Sequence, residues 1–196
     1  MKKTLWRPLL AAVLCLGAGR SHQYLAATPE VVPTPPALPL EEPFADVSFG
    51  QRWYDGAQYG YRNGLVRGMT ERSFAGELTA TRAMAVTMLW RLAGEPEVLG
   101  PSGFSDVEPD SWYTPAAVWA ETRGILLGYG DNTLRLDESV TWDQLELIFA
   151  RYYGEGKPVG AAISRSLSQG PGRREEPLTR GELAETFMEL REEREK

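Results

Sequence analysis

The sequence predicts a mainly helical, all-α fold made of tandem helix-turn-helix repeats joined by long loops. Three observations predict it. Blocks of residues return in the same order at a spacing of about 60. Apolar side chains within each block fall at helical spacing. The stretches between the expected helices, residues 68–80 and 128–140, are too irregular for strands of any length.

The repeat is read from ordered matches. Phe44-Ala45-Asp46-Val47 returns as Phe104-Ser105-Asp106-Val107, and Trp53-Tyr54 as Trp112-Tyr113. Gly64-Leu65-Val66-Arg67-Gly68 returns as Gly124-Ile125-Leu126-Leu127-Gly128. Thr81-Arg82 aligns with Thr141-Trp142, and Leu89-Trp90-Arg91 with Phe149-Ala150-Arg151. Matching the two Trp-Tyr pairs makes the first helix of copy one a residue shorter than that of copy two.

Each copy reads as helix, long turn, helix. The first helix follows Trp-Tyr and ends at Gly64 or Gly124, a glycine suited to a left-handed C-terminal cap. The second starts at Thr81 or Thr141. Its apolar positions are Val86, Leu89 and Ala93 in copy one and Leu145, Ile148, Phe149 and Tyr152 in copy two. Leu178-Thr179-Arg180-Gly181-Glu182-Leu183 opens a third such helix, with Phe187 and Leu190 on its apolar face. Residues 154–177 before it lack the opening motifs, with space for a short first helix near Ala161 to Leu167. The resulting division is 44–100, 101–160 and a partial third unit, 161–196.

Two segments precede the repeats. Lys2, Lys3 and Arg7 lead into the apolar run Leu9 to Leu16 and then Gly17-Ala18-Gly19, the plan of a secretory signal peptide within residues 1–27. Cleavage after Gly19 or after Ala27 fits equally. Residues 28–43 are rich in proline, which favours an extended spacer over helix. With residues 1–27 removed, no transmembrane span is expected.

Composition narrows the chemistry. The one cysteine, Cys15, and the one histidine, His22, both lie in the signal segment. The mature chain therefore has no disulfide, no Cys or His metal site and no histidine-based triad, and no cofactor is expected. The formal charge of -6 gives a nucleic-acid partner little electrostatic support. Asp131-Asn132 with Asp137-Glu138 does not match a calcium loop in spacing and lacks its central glycine.

Taken together, these motifs resemble the S-layer homology (SLH) domain, over residues 44 to about 190. Copies one and two carry the opening Phe-x-Asp-Val, the Trp-Tyr, the Gly-Ile/Leu-x-x-Gly and the second helix. Copy three carries the family's Thr-Arg-x-Glu as Thr179-Arg180-Gly181-Glu182. The resemblance implies a pseudo-threefold helical bundle at the cell surface. It also implies an anionic, often pyruvylated, cell-wall polysaccharide as ligand, held in grooves between repeats where the motif arginine meets the acidic sugar group.

The residues themselves divide the motif. Thr179 with Glu182, and Thr141 with Gln144, make capping boxes, a structural role that accounts for Thr and Glu. It does not account for Arg82 and Arg180, cations at the first helical position, where the macrodipole disfavours them. An anion there would be held by free amides and guanidinium together. On this reading both arginines are exposed, bind ligand and contribute little to folding. Copy two has Trp142 in the arginine's place and so lacks that charge, and copy one has Met84 in place of the glutamate.

Trp53 and Trp112 either stack on sugar rings or pack beneath their repeats. Asp46 and Asp106 suit turn or cap roles; the resemblance places them near the groove. The chain thus reads as an exported wall-binding module and not an enzyme. The alternative is a repeat module, its sugar binding decayed, that partners other surface proteins. A carboxylate glycosidase is a third reading, but no pair of acids is marked for it.

Overall fold

The computed structural model describes residues 43–154, Ile163 and 173–194. The signal segment and, apart from Pro43, the proline-rich segment lie outside the described residues. So does the short helix expected near Ala161 to Leu167, apart from Ile163, which is helical and buried. The described residues form five α-helices: α1 (Tyr54–Arg62), α2 (Arg82–Leu92), α3 (Thr114–Thr122), α4 (Trp142–Tyr153) and α5 (Arg180–Arg194). A 3-10 turn, Arg173–Glu175, precedes α5. Among the described residues there are no strands, only isolated bridges.

Local chemistry sets the helix boundaries. Gly64 and Gly124 follow the ends of α1 and α3 with φ of +68° and +65°, a conformation in which any side chain meets its own backbone. Thr81 and Thr141 cap α2 and α4, their hydroxyls accepting from the amides of Met84 and Gln144. The Gln144 side chain accepts in return from Thr141 N–H, which completes a capping box. Glu182 does the same for Thr179 N–H at 2.9 Å, while its own amide donates to Thr179 Oγ1 at 3.2 Å. Met84 has no acceptor to return, so α2 keeps half a box.

The three units meet in a ring. Ala80 N–H donates to Leu178 O, Leu178 N–H to Val140 O, and Val140 N–H to Ala80 O, at 2.8, 3.0 and 3.0 Å. These residues, each just before a second helix, are fully buried and mark a pseudo-threefold axis. The closed cycle satisfies three interior amides and carbonyls that no sheet supplies. Around it, α3 packs on α2 of the preceding unit, and α1 packs on α5, so unit one closes against unit three. Val86, Leu89, Leu145, Ile148, Phe149, Phe187 and Leu190 all join one apolar core, with Phe149 edge-on to Phe187 at 5.1 Å. The partial third unit does complete that core.

The register of the repeats differs from the one the Trp-Tyr match predicts. Trp53 stands immediately before α1 and Tyr113 immediately before α3, and both helices have nine residues. Ala57 N–H donates to Trp53 O and Ala117 N–H to Tyr113 O, so the structural counterpart of Trp53 is Tyr113. Trp112 falls one place earlier, opposite Arg52. The reason is burial: units one and two each bury one aromatic beneath the first helix, Trp53 and Tyr113. Tyr113 takes that place and leaves Trp112 58% exposed.

Candidate anion-binding groove

Arg82 and Arg180 do open α2 and α5, but they are not exposed. Arg82 is 4% and Arg180 9% exposed, which overturns the expectation that they are dispensable to folding. Each reaches across a unit boundary. Arg82 Nε donates to Leu134 O and Arg180 Nε to Phe74 O, both at 3.0 Å, and these carbonyls hold equivalent places in units two and one. Burial depresses both pKa values from the ordinary arginine value, yet an arginine stays charged in a protein. The helix dipole's penalty is met by carbonyl oxygens.

The remaining guanidinium nitrogens part company. Arg180 Nη2 donates to Arg67 O at 3.0 Å and Nη1 contacts Met84 Sδ at 3.3 Å, so all its nitrogens are engaged. Arg82 makes no further hydrogen bond among the described residues. It lines an open groove of about 310 Å³ between units one and two. The opposite wall comes from the Leu126-Leu127-Gly128-Tyr129 turn and from one face of α4: Gln144, Leu147, Ile148 and Arg151. Leu127 and Leu147 are half exposed there. Tyr129 lies under Arg82 at 5.4 Å and under Arg135 at 3.9 Å, the latter held by Asp131 at 3.0 Å. Arg135 thus stacks closely on the ring, and Tyr129 still lines the groove.

The third junction holds Trp142, which is fully buried. It has not lost its positive charge, as the sequence implied. Arg173, from the turn before α5, lies 5.5 Å over the Trp142 ring and pairs with Glu182. That cation is already neutralised.

Of the other expected site residues, Trp53, Asp46 and Asp106 serve the scaffold. Trp53 is buried, its Nε1 donating to Glu77 Oε1 at 3.2 Å. A Cβ at Gly76 or Gly181 would lie 2.4 or 2.3 Å from its ring, so the indole fills the junction between units one and three. Trp112 is exposed against Tyr113 and does not line the groove. Asp46 accepts from the amides of Phe74 and Ala75 and from Ser73 Oγ, at 2.7–2.8 Å. Burial alone would raise its pKa, but those bonds outweigh it and lower it. Asp106 accepts from Leu134 and Arg135 N–H in the same way. Both aspartates pin a residue of positive φ, Ala75 or Arg135.

Comparison with known proteins agrees with this architecture. The profile of the S-layer homology domain matches residues 103–141, from the start of unit two to the cap of α4. The chain carries an S-layer homology domain. Domains of this type typically anchor surface proteins to the cell wall. Over 89 residues, 45% of its length, the chain is 34% identical to an amylopullulanase of Thermoanaerobacterium thermosulfurigenes. It is 33% identical over 44% of its length to cell surface glycoprotein 1 of Acetivibrio thermocellus. It is also 35% identical over 41% of its length to endo-1,4-beta-xylanase A of Thermoanaerobacterium saccharolyticum. It spans only 5%, 4% and 7% of those three proteins. No described helix of the SLH chain is long and apolar enough to cross a membrane.

Sequence reasoning missed Gln144, Leu147 and Arg151 as groove residues. A signal existed: they lie at i, i+3 and i+7, one face of α4, and the repeat had already aligned Arg151 with Arg91.

Proposed function

We propose that this chain is a non-catalytic module at the cell surface. It binds an anionic polysaccharide of the cell wall without a covalent link. The observation that carries the reading is Arg82: a buried guanidinium at a helix start, with nitrogens left for a ligand, on the wall of an open groove. A carboxylate there meets a fixed cation in a partly desolvated site, where a charge-assisted hydrogen bond counts for more than in water. Leu127, Leu147 and Ile148 give the same ligand an apolar surface, which suits the ring face of a pyranose. The SLH family match supports the polymer as partner, and the cell surface glycoprotein relative supports the location.

A second reading has its own observation. At the other two junctions the cation nearest the motif position, Arg180 or Arg173, is engaged by the chain's own atoms, as a structural or protein-interaction module would have it. A pull-down of the mature protein on wall sacculi separates the two. Binding that disappears when the acidic polymer is chemically stripped supports wall attachment. Equal capture before and after stripping, or no capture, gives the second reading.

A further inference from the structure

The end of α1 carries a chemistry that the wall-binding reading leaves unused. The chain has two asparagines, Asn63 and Asn132, and Asn63 alone precedes a glycine, Gly64. An asparagine side chain is open to attack by the next backbone nitrogen, and a glycine there puts no Cβ in the way. The fold requires that glycine: it follows the helix end with φ of +68°, where any side chain would be strained. Asn63 and Gly64 are both exposed. Their counterpart in unit two is Arg123-Gly124, with the same glycine conformation and no side-chain amide.

The same helix end holds the reaction back. Asn63 caps α1 with ψ of 8°. Its backbone N–H and its Nδ2 both donate to Tyr59 O, at 3.0 and 2.9 Å. Gly64 N–H donates to Tyr61 O at 3.0 Å. The nucleophile and the amide it must reach are thus tied to different carbonyls of the last helical turn. Closing a five-membered ring needs Cβ and the Gly64 nitrogen nearly eclipsed about the Cα–C bond of Asn63. At this ψ they stand more than a right angle apart. The reaction therefore waits for the helix end to fray, a local opening short of unfolding.

We propose that Asn63 is a site of spontaneous covalent modification, a slow timer at the end of the helix that closes the ring. The Gly64 nitrogen gives its proton to solvent and bonds to Asn63 Cγ; the Cγ–Nδ2 bond breaks and Nδ2 leaves as ammonia. Water then opens the succinimide at either carbonyl, leaving aspartate or isoaspartate. One water enters, one ammonia leaves, and nothing is oxidised or reduced. Either product weakens the cap. An aspartate cannot donate to Tyr59 O, and it sets a negative charge at the negative end of the helix dipole. An isoaspartate adds a methylene to the backbone just before the Leu65 and Val66 amides, which both donate to Gly60 O. Because α1 packs on α5, the change loosens the seam between units one and three.

Peptide mapping by mass spectrometry tests this on the intact chain, incubated at mildly alkaline pH. Asn63 should convert to the acid while Asn132, followed by Thr133, stays an amide. In urea sufficient to unfold the chain, conversion should be roughly tenfold faster or more, because the cap no longer limits opening. Asn63→Asp should lower the melting temperature by about 3 °C, through the lost bond to Tyr59 O and the charge at the helix end. Asn63→Arg, which copies unit two, should keep the parent melting temperature and abolish the mass shift at this position. No acid at position 63 even in urea overturns the modification site. Equal rates with and without urea, or an Asn63→Asp chain as stable as the parent, overturn the timer.

Discussion

At the scale of the residue, a cation at a helix start has two uses in this chain. Arg180 is a strut. Its Nε and Nη2 satisfy the carbonyls of Phe74 and Arg67 from across the ring. A lysine offers one ammonium and cannot span both acceptors. We expect Arg180→Lys to cost about 2 kcal/mol, one or two buried hydrogen bonds to a charged group, by urea denaturation. A variant as stable as the parent would show that the carbonyls find water instead. Trp142 gives the complementary case. The repeat alignment makes arginine the expected residue there, so Trp142→Arg would seem to restore a binding site. In the structure it removes a fully buried indole and sets a new cation beside Arg173. The expected result is a loss of about 3 kcal/mol with no gain in polymer affinity. A stable variant that binds more tightly would mean that the third junction can open.

At the scale of the element, the second helices share one start signal and use it with different completeness. α4 has the full reciprocal box, α5 has it with a carboxylate, and α2 has only the Thr81 hydroxyl. Thr141→Ala should therefore cost about 1 kcal/mol and lower the melting temperature by roughly 3 °C, since the Gln144 side chain alone cannot hold the box. Thr141→Ser should recover most of this. An unchanged melting temperature for the alanine variant would place the helix start under the control of the Val140 ring bond instead. Between helices, Trp53 decides how close α1 can come to α5. Gly76 and Gly181 accept its ring, whereas in the next unit, where Tyr113 takes the place of Trp53, the aligned residues are Leu136 and Ala83. The larger aromatic and the two glycines belong together as one packing solution.

At the scale of the whole molecule, the ring closes where α1 meets α5, and that seam is rich in acid. Glu185 pairs with Arg52 at 3.3 Å. Its burial against α1 raises its pKa, Arg52 pulls it back, and Glu189 and Glu182 push it up again, so the net direction is upward from 4.5. A carboxyl that holds its proton more tightly folded than unfolded stabilises fully below the unfolded value and loses that contribution as pH rises above it. Melting temperature should thus carry a falling component as pH rises from 4.5 toward neutrality. Glu185→Gln should flatten it and be no less stable than the parent at pH 7. Parallel profiles for the two proteins would mean that Arg52 cancels the burial. Asp46 works in the opposite sense, its lowered pKa adding stability that is lost as pH falls below 3.8.

The caps and the apolar faces of the second helices are legible along the chain. Threonine before a helix, glycine after one and a hydrophobic period of 3.6 act within a few residues of chain, so they can be read along it. The sequence also located Arg82 and Arg180 at their helix starts. What those two arginines touch, Leu134 in one case and Phe74 in the other, lies 52 and 106 residues away, and no local pattern encodes a contact across a ring. Only the tertiary structure decided that both are buried and that Tyr113, not Trp112, is the partner of Trp53. It alone showed that Arg82 lines an open groove while Arg180 is fully engaged. The repeats supply three equivalent places, and whether each holds methionine, glutamine or glutamate opposite the cation sets its chemistry. That choice becomes visible only when the second helix of one unit is seen against the arginine of its neighbour.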